Sequence, residues 1–140
     1  LYYITRGSVE VMIEDEEGNE MVLAYLNKGQ FFGEMGLFSD SGQRSAWVRT
    51  RTHCELAEMT YPRFRQIAAE SPGLVFELAT QLATRLDRTN RKLGDLAFVD
   101  VTGRIAHAIM DLCGEPDAMT HPQGMQIKVS RQELSRLVGC

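Results

Sequence analysis

Phe31-Phe32-Gly33-Glu34-Met35-Gly36-Leu37-Phe38, followed after five intervening residues by Arg44-Ser45-Ala46, is the stretch that decides how this chain is read. Gly33 lets the backbone approach a ligand closely. The residues after it can open a short helix whose free N–H groups point at an anion. Glu34 is a carboxylate able to accept from a sugar hydroxyl. Arg44 supplies a forked cation for a phosphate, and Ser45 adds a hydroxyl and an N–H. Gly33 and Gly36 could instead serve turns alone, and Glu34 and Arg44 could form a structural ion pair. The spacing of the whole combination favours a site for an anionic nucleotide inside a β-barrel.

The flanks are short strands. Val9, Val11 and Ile13 alternate with polar residues, the period of a half-buried strand. A hairpin is expected over residues 2–26, turning at Glu17-Gly18-Asn19 and returning through Met21 to Leu26. Ala46-Trp47-Val48 and Cys54 to Met59 read as two more strands. Short strands separated by regular turns predict an antiparallel barrel or jelly roll.

Helices follow. Thr60 is an N-cap for a short helix with Pro62 in its first turn. After Ser71-Pro72-Gly73, a long helix is expected from about Leu74 to Phe98. Leu74, Leu78, Leu82 and Leu86 recur every four residues, and the stripe is assigned to the same helix of a second subunit rather than to the chain's own barrel. Asp100 to Arg104 caps an amphipathic helix carrying Ile105, Ala108, Ile109 and Leu112. A Pro- and Gly-containing loop then leads to a strand-like Met125–Val129. Ser130-Arg131-Gln132-Glu133 is a capping box opening a last helix that stops at Gly139. The expected fold is mixed β and α: a β-domain over 1–72, a dimerisation helix over 73–99 and a partial second domain over 100–140.

The 140 residues are 44% hydrophobic and 24% charged, enough to bury a core. The net charge of −4 argues weakly against nucleic-acid binding, but it is unevenly spread. Acid crowds Glu14 to Glu20, whereas Arg85, Arg88, Arg91 and Lys92 cluster later. Cys54, Cys113 and Cys140 are widely spaced with no CxxC, which fits a reducing cytoplasm and offers no zinc site. Cys54 is expected in the core. No apolar run is long enough to span a bilayer, and no signal peptide is visible. A start at Leu1 inside a strand-like run suggests a piece of a longer chain. No nucleophile–base pair, metal constellation or Walker loop points to an enzyme.

The segments LYYI, GSVEV, FFGEMGLF, RSAWVR, LAFVDVTGRIA, PDAMTHPQGMQIKVSRQEL and LVGC together resemble the cyclic-AMP receptor protein (catabolite activator protein) family of bacterial transcription regulators. The resemblance runs the whole length and treats the chain as a fragment truncated at both ends. It implies a jelly-roll cyclic-nucleotide-binding domain, a dimer helix and the start of a winged helix-turn-helix domain.

The family's phosphate cassette falls on Gly33, Glu34, Met35, Arg44 and Ser45. Its adenine-holding Thr falls on Thr89. The next position, which reaches the nucleotide of the opposite subunit, is Ser in the best-known relatives and Asn90 here. Thr102, Arg131 and Gln132 match positions that touch DNA phosphates, which orient a protein without reading sequence. Ala118, Met119, Thr120, His121, Pro122, Gln123 and Gly124 match a loop that touches RNA polymerase. Glu58 with Arg63, and Asp15-Glu16-Glu17 with Glu20, resemble further polymerase-facing patches.

The implied protein is a cytoplasmic homodimer. Its allosteric ligand is cyclic AMP, with no metal, and it binds promoter DNA and RNA polymerase without a membrane. Nucleotide is expected to extend helix through Arg91 to Asp95 and so turn the second domain. The recognition helix would begin at Cys140, so these residues alone should bind DNA poorly. Two alternatives stand beside this reading. One is the same architecture answering to cyclic di-GMP, and the other is a sensory module without DNA binding.

Overall fold

The computed structural model describes residues 1–39 and 44–140. The expected first hairpin is two things. Tyr2–Arg6 forms β1, Ser8–Glu14 forms β2 and Glu20–Asn27 forms β3. Gly7 separates β1 from β2 at φ +84°, and a Cβ there would lie 2.2 Å from the His53 carbonyl oxygen. The chain therefore changes sheet at Gly7, and only β2 and β3 make the hairpin.

Phe31–Phe32 forms β4, Trp47–Thr50 forms β5 and Glu55–Glu58 forms β6. One sheet has the order β4-β1-β6 and the other β3-β2-β5. Tyr2 stands opposite both Phe32 and Glu58, while Val9 faces Thr50 and Met12 faces Trp47. Side-chain alternation sends Ile4, Val9, Leu26 and Phe32 into a shared core, with half-buried Cys54 packed against it.

Met35–Phe38 is a single turn, α1. Tyr61–Glu70 is α2, and the Thr60 hydroxyl accepts from the Arg63 N–H as its cap. Pro72–Phe98 is α3, so Pro72 and Gly73 lie in its first turn rather than breaking the chain. The leucine stripe corrects the dimer reading. Leu78 is 1% exposed and packs with Leu1, Phe31, Leu37 and Phe64, flanked by Leu74 and Leu82. These leucines face the chain's own barrel, whereas Leu86 is 62% exposed. The reason is geometric: each four-residue step overshoots a helical turn, so Leu86 is rotated roughly 120° from Leu74.

By contact pattern the chain forms two units. One is residues 1–13 with 22–88, and the other is residues 14–21 with 89–140. In the second, Val101–Cys113 is α4, capped by Asp100, whose carboxylate accepts from the Gly103 N–H. Asp95 Oδ2 lies 2.9 Å from His107 Nδ1. Arg104 donates to the carbonyls of Val99 and Val138.

The predicted strand over Met125–Val129 is shorter and earlier. Met119–His121 and Gly124–Gln126 form a hairpin, β7 and β8, in which Met119 faces Gln126. Arg131–Val138 is α5, and its capping box is present as read: Ser130 Oγ accepts from the Glu133 N–H and Glu133 Oε2 from the Ser130 N–H. Glu20 is not a free acid of the hairpin tip, because Arg136 Nη1 donates to its Oε2 at 2.9 Å.

Candidate functional site

The site forms where β4 ends. Gly33 adopts φ +75°, a left-handed conformation that a side chain would strain, and a Cβ built there would stand 3.4 Å from Arg44 Nη1. The turn is tied down from α2: the Tyr61 hydroxyl donates to the Gly33 carbonyl at 2.8 Å. The Tyr61 hydroxyl oxygen in turn accepts from Arg44 Nη1 at 3.0 Å. The Arg44 guanidinium is exposed and has no carboxylate partner among the described residues.

Glu34 is 8% exposed and stands at the N-cap of α1 without a side-chain capping bond. It does not pair with Arg44. Its partner is Arg85 of α3, with Nη1 3.5 Å from Glu34 Oε1. Burial pulls the Arg85 pKa below its ordinary value, and the Glu34 carboxylate pushes back. Arg85 also donates through Nη2 to the Phe31 carbonyl. One turn earlier, Gln81 accepts from the Phe31 N–H at 2.9 Å and donates to the Gly29 carbonyl at 3.0 Å. The Phe31 peptide is thus held on both sides by α3, which fixes β4 and the turn that follows it. Arg85 Nε is buried with no hydrogen-bond partner among the described residues.

The structure therefore brings Gly33, Glu34 and Arg44 to one turn. Met35 is 55% exposed at the start of α1, and Ser45 is exposed in a bend before β5. Thr89 and Asn90 are exposed on α3, in the other unit. Thr102 is exposed in the first turn of α4, and Arg131 and Gln132 in the first turn of α5. The residues expected to meet RNA polymerase form the β7–β8 hairpin, with half-buried Ala118 before it. In that hairpin Thr120 Oγ1 reaches Met125 Sδ at 3.6 Å, and His121 Nδ1 accepts from the Gln123 N–H at 3.3 Å.

Three contributors escaped the sequence reading: Tyr61, Gln81 and Arg85. Arg85 carried a signal, because it falls seven residues after buried Leu78 and so on the packed face of α3, an unusual place for a charge. Tyr61 carried none, since its contact spans 28 residues.

An apolar cleft of about 420 Å³, lined by residues including Tyr3, Phe31, Phe64 and Leu74, contains none of the residues expected to hold the nucleotide. Among the described residues no group of His, Cys, Asp and Glu is placed to hold a metal ion. No described helix is long and apolar enough to cross a membrane.

Residues 1–71 match the cyclic nucleotide-binding domain family. The chain is 56% identical over 140 residues to the cAMP-activated global transcriptional regulator CRP of Salmonella typhimurium, covering 100% of this chain and 67% of that protein. It is 54% identical over 143 residues to the cAMP-activated global transcriptional regulator Vfr of Pseudomonas aeruginosa, again with 100% and 67% covered. The chain belongs to the CRP/FNR family of transcription regulators.

Solved structures of CRP/FNR type share its fold. The c-di-GMP responsive global regulator CLP of Xanthomonas campestris superposes with a TM-score of 0.93 at 49% identity, over 99% of this chain and 70% of that one. A CRP/FNR-family regulator from Thermus thermophilus gives 0.81 at 29% identity, over 99% and 66%. The relatives of this CRP/FNR chain are regulators, not enzymes.

Proposed function

We propose that the chain binds cyclic AMP through Gly33, Glu34, Met35, Arg44 and Ser45, with Thr89 and Asn90 contributing from α3, and that nucleotide binding controls a DNA-binding homodimer. The observation that carries this is Arg44: an exposed guanidinium, held at a left-handed glycine turn, with no carboxylate among the described residues to neutralise it. A phosphate is the natural partner of such a group. Glu34, buried and fixed by Arg85, offers acceptor oxygens for a ribose hydroxyl.

The domain reading that goes with this is a nucleotide-binding domain over 1–72, a dimer helix over 73–99 and part of a winged helix-turn-helix domain over 100–140. The exposed face of α3 supports a seam for a partner subunit there. Phe76, Ala79, Ala83, Leu86, Asn90, Leu93 and Ala97 are spaced three and four residues apart in alternation, and all are exposed. That is a heptad a/d pattern, and a polar Asn at one such position fixes register. Thr102, Arg131 and Gln132 are proposed to meet DNA phosphates, and the β7–β8 hairpin to meet RNA polymerase, in the cytoplasm.

The second reading keeps the fold and changes the ligand, because the Xanthomonas relative answers to c-di-GMP. Calorimetry with cyclic AMP, cyclic GMP and cyclic di-GMP separates the two. Saturable binding strongest for cyclic AMP supports the proposal, and preference for cyclic di-GMP overturns it in favour of the second reading.

A further inference from the structure

The proposed site needs Arg44 not merely present but aimed. An exposed arginine has many rotamers, and fixing them costs entropy when the ligand arrives. The Tyr61 hydroxyl removes that freedom. It donates to the Gly33 carbonyl and accepts from Arg44 Nη1, so one oxygen ties the glycine turn to the cation.

Tyr61 is itself fixed. It is the first residue of α2, directly after the Thr60 cap, and it packs against the core cluster around Leu37 and Phe64. Its ring passes so close to Gly36 that a Cβ on that residue would lie 2.3 Å from the hydroxyl oxygen. Gly36 is thereby explained as a close approach rather than a turn residue. A guanidinium has five donors. Tyr61 engages one Nη edge, and Nε and the second Nη have no hydrogen-bond partner among the described residues.

We propose that Tyr61 is a positioning residue: its hydroxyl, anchored on the Gly33 carbonyl, holds one edge of Arg44 so that the free edge is presented to the phosphate in a fixed orientation. This rests on the cyclic-AMP reading of the site. A fixed guanidinium edge distinguishes the two exocyclic oxygens of a cyclic phosphate, because only one lies along its donors. A freely rotating arginine does not.

The test is Tyr61→Phe, which keeps the ring against Gly36 and removes only the oxygen. Affinities for cyclic AMP and for its two phosphorothioate diastereomers are measured by calorimetry on the native chain and the variant. The native chain is expected to prefer one diastereomer. Tyr61→Phe is expected to weaken cyclic AMP by about tenfold, the size of one hydrogen bond to a charged group, and to bring the diastereomer ratio towards one. A variant with unchanged cyclic-AMP affinity overturns the proposal, as does one that weakens both diastereomers equally. A native chain that binds cyclic AMP without choosing between diastereomers overturns it too, leaving the nucleotide reading intact. A native chain that binds no cyclic AMP overturns the nucleotide reading itself.

Discussion

Arg85 Nη1 lies 3.5 Å from Glu34 Oε1, with the two side chains 18% and 10% exposed. The pair joins the long helix to the turn that carries the candidate site. Removing one partner strands the other in a dry place. Arg85→Met should therefore destabilise the fold by about 3 kcal/mol, the lower end for a broken buried pair because the guanidinium keeps some solvent. Glu34→Gln with Arg85→Met should recover part of that loss. Urea unfolding of the two variants reads the difference directly. Equal destabilisation in both would mean the ion pair does not join α3 to the turn after β4.

The two faces of α3 should respond differently to substitution. Leu78→Ala opens a cavity in the barrel core and should cost about 2–5 kcal/mol in folding stability. Leu86→Glu falls on the proposed partner-facing seam and should leave unfolding of the barrel nearly unchanged while shifting sedimentation from dimer to monomer. A dimer that survives Leu86→Glu and Leu93→Glu together would contradict the seam.

Asp15 gives the hairpin tip a pH signature. Its carboxylate accepts from Asn19 Nδ2 at 2.8 Å and from the backbone N–H groups of Asn19 and Glu17 at 2.9 Å. These bonds, with the Asn19 side chain first, hold its pKa below the ordinary carboxylate value. Between the folded and unfolded values the unfolded chain holds the extra proton. The contribution is thus fully present above about pH 4 and is lost as pH falls through the lowered folded value. Carboxyl-carbon NMR should show Asp15 titrating below the ordinary Asp value in the native chain and rising towards it in Asn19→Ala. A native midpoint at or above the ordinary value would contradict the turn geometry.

The legible and illegible parts of this chain divide by the range of the interactions. Local rules placed α2, α4 and α5, because Thr60, Asp100 and Ser130 each cap within three residues. Val9 and Val11 announced β2 by alternation, and Gly33, Glu34 and Arg44 announced a turn with charge. Pairings across long separations were not legible. Tyr2–Arg6 meets Glu55–Glu58 in the sheet, and nothing local to either says so. The leucine ladder misled because a period of four drifts across the helix surface, from barrel-facing Leu74 to solvent-facing Leu86. Tyr61 and Arg85 became site residues only when the fold brought α2 and α3 against the end of β4.

The segment after Arg88 should carry the response to nucleotide. α3 runs unbroken through Gly94, where a Cβ would meet nothing within 4 Å. Glycine there weakens the helix by about 1 kcal/mol relative to alanine. If nucleotide acts by favouring one state of this segment, hydrogen exchange should show protection of residues 89–98 rising more than that of the hairpin strands at 9–24. Gly94→Ala should raise protection of the same residues without ligand. Equal gains in both segments would indicate general stiffening and remove the segment from the switch.

Arg44 is the proposed phosphate cation of a cyclic-AMP site, and calorimetric titration of the native chain beside Arg44→Leu is the decisive measurement. Arg44→Leu should lose about 2–5 kcal/mol in cyclic-AMP binding free energy, because the phosphate would be desolvated without its charged partner. Folding stability should barely change, since Arg44 is exposed. A variant that binds cyclic AMP as tightly as the native chain would show that Arg44 is not the phosphate cation.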